Sequence, residues 1–413
     1  CIPIILPAML LTIIVFMLIL TLLVFVHELG HYTTARKAGV KVDEFGFGLP
    51  PRICGWQRER QSGKMRFFWG KSPYELLPDA KNDETQIRNM GATIWSLNWI
   101  PVGGFVKIKG EGGEFAEDTD SFATKSTGWR AIILSAGVAM NVILCAVLLS
   151  IGFMFGIPTV LDGGEPEGAR VREQSLQVTE FLSESPAKDA GMRLGDTLLA
   201  VNNTPLTSVE TLQAALMAAG SGEATIRVQR GRKILDIPVE ARSLDVLGGK
   251  SGIGVATAEV GLVAYPFFSA VWHGIRLTGT LFVDIILAFK DLLMNLFAAR
   301  HVALDVAGPV GIAAITGQVV DLGFIYVLQF AAFLSLNLAI INYLPIPALD
   351  GGQVVLLLAE RMRRKPFAAK TKNLINNTGF LALLALILVI TVRDVVKLIP
   401  GFSSILQTIQ RML

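Results

Sequence analysis

The chain has 413 residues, 52% of them hydrophobic and 17% charged, with a mean hydropathy of +0.53. That composition excludes an ordinary soluble globule and fits a multi-span membrane protein with a polar domain attached. A net charge of +3 implies no nucleic-acid partner, and the three scattered cysteines (Cys1, Cys54, Cys145) suggest neither a zinc knuckle nor a disulfide framework.

Residues 1–39 form the first predicted element, an apolar run longer than the roughly 20 residues a spanning helix needs. Its length, its lack of a basic start and the motif it carries argue against a cleavable signal peptide. Cys1 in place of a methionine leaves room for a start upstream. Near the end of the run lies His27-Glu28-Leu29-Gly30-His31. On a helix, positions i and i+4 share a face, so both imidazoles can point at one metal ion. Glu28 stands beside them, where a carboxylate can take a proton from an activated water. Ionisable side chains inside apolar sequence are costly, which makes these residues a functional candidate from the outset.

Residues 40–128 are polar. Phe45 to Pro51 is rich in glycine and proline, and alternating patches at Met65–Trp69 and Ala92–Lys109 read as strands, the second broken at Pro101 and Gly103-Gly104. Ser72–Met90 looks like an insertion, and Glu111–Asp120 a solvated acidic loop. The edge of such a hairpin either pairs with an extended peptide or is structural. Residues 129–160 are the second span. Within it Ala136 to Ala139 are small enough for close helix packing, Asn141 is a lone polar residue that packs against another helix or lines the site, and Cys145 reads as a small core hydrophobe.

After a linker (161–177), residues 178–242 read as a compact α+β domain. Strands fall at 178–182, 197–201, 224–229 and 234–239, and helices at 186–190 and 208–219; Pro238 marks an edge strand. Gly191 to Asp196 followed by Leu199 to Asn203 is the turn-and-strand pattern of a PDZ domain, which takes a peptide C-terminus as an added strand or here serves as a lid or spacer. Residues 243–306 hold a linker and an amphipathic, interfacial helix with His273, Arg276, Asp284, Lys290 and Asp291; His273 and His301 lack metal-spaced partners.

Residues 307–352 contain the third span, which ends in Asn342-Tyr343-Leu344-Pro345-Ile346-Pro347-Ala348-Leu349-Asp350-Gly351-Gly352. Two prolines at spacing two break a helix, and broken backbone at membrane depth is tolerated only where it is buried in protein or lines a cavity. Asp350 needs a partner there and is the natural third ligand for His27 and His31. A basic loop (353–377), a fourth span (378–399) and a tail (400–413) complete the chain. Lys and Arg crowd the 40–128 and 353–377 connections, whereas the 161–306 connection carries more acids than bases around its folded part. By the positive-inside rule the first two are cytosolic and the α+β domain is outside, which puts His27, His31 and Asp350 at the same, cytosolic-side end of their helices.

At His27–His31, Phe45–Gly48, Ile100–Lys107, the PDZ-like unit, Gly308-Pro309-Val310-Gly311 and Asn342–Gly352 the chain resembles the site-2 proteases, intramembrane zinc metalloproteases, in their bacterial RseP-type branch. The resemblance implies one zinc ion held by His27, His31 and Asp350, with Glu28 as catalytic base and Asn342 holding substrate or oxyanion. It also implies that the hairpin around Gly103, Gly104 and Phe105 guides an extended substrate, a single-span membrane protein such as a membrane-anchored regulator, shortened beforehand on its outer side. The chain departs from the family pattern at Val138, where Pro is usual, at Gln353, where His often follows D-G-G, in carrying one PDZ-like unit, and in the 72–90 insertion.

The expected fold is thus a multi-span α-helical protein of the inner membrane with about four transmembrane helices, a membrane-associated β-hairpin region and one extracytoplasmic α+β PDZ domain. A non-proteolytic PDZ-bearing scaffold is the alternative, though a scaffold has no need of Glu28. A metal transporter would want ligands along several spans rather than at one depth.

Overall fold

The computed structural model describes residues 2–58, 63–71, 93–113, 115, 117–161, 166–182, 185–220, 222–231, 233–244, 250–297 and 307–398. Cys1, the proposed 72–90 insertion, His301 and the 400–413 tail lie outside the described residues. The chain divides into two compact units: Cys1–Cys145, Thr278–Ile315 and Ala331–Leu413 form the first, Ala146–Leu277 and Thr316–Phe330 the second.

The first unit opens with α1 (Ile2–Lys37), almost wholly apolar as far as Val26; in its last turn Arg36 and Lys37 meet the partial negative charge of the terminal carbonyls. Gly39, at φ +69°, ends the helix in the left-handed conformation that glycine adopts without steric cost. The chain then enters a three-stranded antiparallel sheet in the order β2–β1–β3, built from β1 (Val42–Arg58), β2 (Met65–Trp69) and β3 (Ile94–Ile108). Phe45, Gly46 and Phe47 stand opposite Val106, Phe105 and Gly104. The glycine- and proline-rich 45–51 stretch is part of β1, with a cis bond between Pro50 and Pro51. Nor does β3 break at Pro101 or Gly103-Gly104: the strand runs through, and Gly103, at φ +77°, takes up the bend.

Next comes α2 (Thr127–Phe155). Its Ile133 and Leu134 pack with Ala35 of α1, Val42, Ile108 and Leu357 in one buried cluster. Gly30 lies so close to the Ala136 carbonyl that any side chain there would collide with it. Cys145 is fully buried and accepts from the Thr278 hydroxyl at 3.6 Å, in keeping with a core role.

The second unit holds a sheet in the order β4–β12–β5–β6–β8–β9, with β7 (Thr204–Pro205) on β6. The strands are β4 (Ile157–Val160), β5 (Arg170–Phe181), β6 (Thr197–Val201), β8 (Glu223–Arg230), β9 (Lys233–Glu240) and β12 (Val255–Ala264); β10 (Arg242–Leu244) and β11 (Lys250–Gly252) pair separately. Helices α3 (Pro186–Asp189) and α4 (Val209–Ala219) complete it, and Ser208 and Thr211 close a reciprocal capping box at the start of α4. The sheet extends past the predicted 178–242 range on both sides. β12 sits inside the sheet between β4 and β5, most of its residues are partly buried on either face, and its sequence lacks clean alternation. Pro238 lies on β9, the edge strand.

Residues 267–297 form α5 (Phe267–Phe297), followed by α6 (Pro309–Leu322), α7 (Phe324–Asn342), α8 (Asp350–Arg363) and α9 (Ala369–Leu398). The Gly308–Gly311 motif leads into α6, and much of the expected 353–377 loop is α8 and the start of α9. Within the second unit His273 stacks on Tyr265 at 4.0 Å, a structural role. Among the described residues five helices, rather than about four, are long and apolar enough to cross a membrane: within α1, α2, α5, α7 and α9. α5 is the least apolar of them and carries the charges that suggested an interfacial helix.

In the second unit the Asp196 carboxylate, 1% exposed, accepts two bonds from Arg230 at 2.7 Å and one from the Arg193 N–H at 2.8 Å. Removing the guanidinium leaves a buried charge uncompensated. Arg230→Ala should therefore destabilise this unit by about 3–5 kcal/mol, read as an early transition in thermal unfolding of the purified protein.

Candidate metal centre

His27 and His31 lie one turn apart on α1, both buried. Their Nε2 atoms are 3.2 Å apart. Asp350 Oδ2 lies 3.0 Å from His27 Nε2 and 3.4 Å from His31 Nε2. Zinc bonds of about 2.0–2.1 Å set tetrahedral donors roughly 3.3 Å apart, so this triangle of two imidazole nitrogens and a carboxylate oxygen fits that ion. Asp350 Oδ2 is buried and faces both rings, as a donor atom aimed at a shared point would. These three are also the one His/Cys/Asp/Glu cluster among the described residues with the reach to hold a metal.

Several features build the triangle. α2 crosses α1 at Gly137, where a β-carbon would sit 2.7 Å from His27 Nε2 and strike His31 Nε2. The absent side chain is the room the rings occupy. His31 Nδ1 lies 2.8 Å from the Ile133 carbonyl of α2; that oxygen only accepts, so Nδ1 carries the proton and Nε2 keeps its lone pair. On the other flank of α2, Asn141 reaches His27 Nδ1 at 3.3 Å. Asp350 is the first residue of α8, placed there by the broken stretch that follows α7. Gly351 packs on the Tyr343 carbonyl and Gly352 on that of Ile346, in contacts too close for any β-carbon. This is the physical reason for glycines after the aspartate: they let the start of α8 fold back on the proline-broken chain.

Glu28 is half-buried beside the rings, and the Val106 N–H of β3 lies within hydrogen-bonding reach of its carboxylate. β3 reaches it through the predicted glycines. A β-carbon on Gly104 would lie 3.8 Å from Glu28 Cγ, and one on Gly103 3.8 Å from Val24 Cγ1. Phe105 packs on Gly46, while Phe47 stacks on Phe25 of α1 at 4.7 Å. Asn342 closes α7; among the described residues no hydrogen bond joins its amide to the other predicted residues.

Four polar residues around this centre escaped the sequence reading. Asn98, buried, donates to the carbonyls of Phe47 and Gly48 and so holds β1 beside the site. Glu360, at the far end of α8, takes up Arg130 of α2, Lys372 of α9 and the Phe367 N–H; its signal was a lone acid in a basic run. Asp394 of α9 accepts from the N–H groups of Gly308 and Gly311, both at 2.8 Å, which accounts for the G-P-V-G motif. Glu111 was assigned to a solvated loop. The residue as a whole is exposed, yet desolvation of its carboxyl pushes it up to about 7; His31 opposes the rise, and Asp350 and Glu28 add to it.

The sequence profile of peptidase family M50 matches residues 15–69 and 85–386. Among curated proteins, the regulator of sigma-W protease RasP of Bacillus subtilis is 28% identical, covering 94% of this chain and 99% of its own. The zinc metalloprotease RasP of Shouchella clausii is 26% identical with the same coverage. A Clostridium perfringens protein, CPE1693, named provisionally as a zinc metalloprotease, is 27% identical over 91% of this chain and 95% of its own.

Gly137→Ala places a methyl group where the ring nitrogens stand. It should leave α1 and α2 helical by circular dichroism and reduce the zinc retained by purified protein at least about tenfold, read by metal analysis.

Proposed function

The chain belongs to peptidase family M50, the site-2 proteases, and is a zinc-dependent membrane metalloprotease; from that premise we propose that it hydrolyses a peptide bond in or beside the transmembrane segment of a single-span membrane protein. The observation that carries this reading is the convergence of His27, His31 and Asp350 with Glu28 alongside, both histidines and the glutamate on α1, a helix apolar enough to cross a bilayer.

We assign the zinc ligands to His27, His31 and Asp350. Zinc bound there supplies Lewis acidity, which makes water nucleophilic near neutral pH and polarises a carbonyl. Glu28 takes the proton of the attacking water on a carboxylate oxygen and returns it to the departing amine nitrogen. The Asn342 amide, at the end of α7, is assigned to hold the substrate or the developing oxyanion. A helical substrate hides its carbonyls in its own hydrogen bonds and must unwind locally. β3 is an edge strand of its sheet, and its Gly103–Phe105 segment rests beside Glu28, which supports its offering backbone partners to the unwound chain.

The name of the Bacillus subtilis relative, a regulator of sigma-W protease, supports a membrane-anchored regulator as substrate, already shortened on its outer side. We read residues 178–242 of the second unit as a PDZ domain on the outer face of the inner membrane that screens such substrates by size or captures a peptide C-terminus. The density of Lys and Arg in 40–128 and 353–377 supports the opposite, cytosolic side for the metal centre, with α5 lying along the interface rather than spanning.

Purified protein should cleave a truncated single-span substrate. Glu28→Gln should lower the rate at least about a thousandfold while zinc content stays at the wild-type level. A folded, zinc-loaded wild type that cleaves none of several truncated substrates would favour the scaffold alternative. For orientation, a cysteine introduced at Arg364 should be shielded from an impermeant thiol reagent in intact cells and one at Thr207 labelled; the reverse pattern would overturn the topology.

A further inference from the structure

Asn141 is fully buried, and its two amide atoms fare differently. Nδ2 lies 3.3 Å from His27 Nδ1, whereas Oδ1 is buried without a hydrogen-bond partner. A buried oxygen left without a donor is destabilising, so a second arrangement that satisfies it is expected.

The tautomers of His27 supply that arrangement. With Nδ2 as donor, Nδ1 must be the bare nitrogen, and the ring proton sits on Nε2, facing Asp350 Oδ2 at 3.0 Å. A ring in that state has no lone pair for a metal. As a ligand through Nε2, His27 must carry its proton on Nδ1, and Nδ2 would then meet it donor to donor. A half-turn about Cβ–Cγ exchanges the two ends of the amide at almost no change in shape. Oδ1 then accepts the Nδ1 proton, which satisfies the orphaned oxygen and fixes His27 in the ligating tautomer. His31 needs no such device, because its Nδ1 faces the Ile133 carbonyl, which only accepts. Gly137 and Asn141 are four residues apart on α2, so one helix face both makes room for the rings and orients one of them.

We propose that Asn141 is a positioning residue whose side-chain oxygen accepts the His27 Nδ1 proton when the site is loaded. The inference rests on the ligand assignment above.

The test is zinc affinity of the full-length protein in detergent, by competition with a chromogenic chelator, with the melting temperature of each metal-free form as the check on folding. Asn141→Leu keeps the volume and loses the acceptor; it should bind zinc about 10–100-fold more weakly. Asn141→Asp keeps the acceptor and loses the donor; it should bind at least as tightly as wild type, within about threefold. An Asn141→Leu protein within twofold of wild type overturns the proposal. So does an Asn141→Asp protein weakened tenfold or more, and that result decides alone if the leucine variant does not fold. His31→Ala separates the two levels: if it holds zinc as tightly as wild type, the ligand assignment fails and the role of Asn141 falls with it.

Discussion

Two imidazoles and a carboxylate, each costly to bury by itself, share one point in the first unit. Much of the surrounding structure serves that convergence. The rings come from one face of α1, the carboxylate from the first residue of α8, more than three hundred positions later in the chain. Holding the three donor atoms within hydrogen-bonding distance of each other requires three backbones to approach more closely than side chains ordinarily allow. Glycine provides the approach each time: Gly30 and Gly137 between α1 and α2, and Gly351 and Gly352 between α8 and the broken chain before it.

Polar clamps then hold the helices against one another. Glu360 ties the far end of α8 to Arg130 and Lys372, so the helix that begins with Asp350 is fixed at its other end on α2 and α9. Asp394 caps the first N–H groups of α6, which a helix leaves unpaired and an apolar setting would penalise. The β1–β3 sheet is held beside Glu28 by aromatic stacking on Phe25 and by the buried Asn98 amide. Rigid support of this kind makes a hydrolytic site effective, because a small displacement of a ligand or base is paid in rate.

The sequence carried the centre better than its surroundings. His27 and His31 are four apart, and a proline-broken segment with an acid after it has few physical uses within a membrane, so the triangle was legible before any coordinates. Long apolar runs gave α1, α2, α7 and α9 for the same reason. α8 was hidden because its composition is mixed and its basic end resembles a loop. Strand β12 was hidden because its residues, most of them partly buried on either face, show no clean alternation. The clamps at Glu360, Asp394 and Asn98 were invisible as well: each joins residues far apart in the chain, and a single polar residue does not announce its partner. Asn141 stood between these cases, since its place in an apolar span was conspicuous, but whether it packed or served the site depended on which atom it faced.

X-ray absorption at the zinc edge of the purified protein tests the central claim most directly. The account predicts nitrogen and oxygen neighbours alone at about 2.0–2.1 Å, with the multiple-scattering signature of two imidazoles. Sulfur at about 2.3 Å, which would bring in a cysteine, or the signature of fewer than two imidazoles, would contradict a centre made by His27, His31 and Asp350.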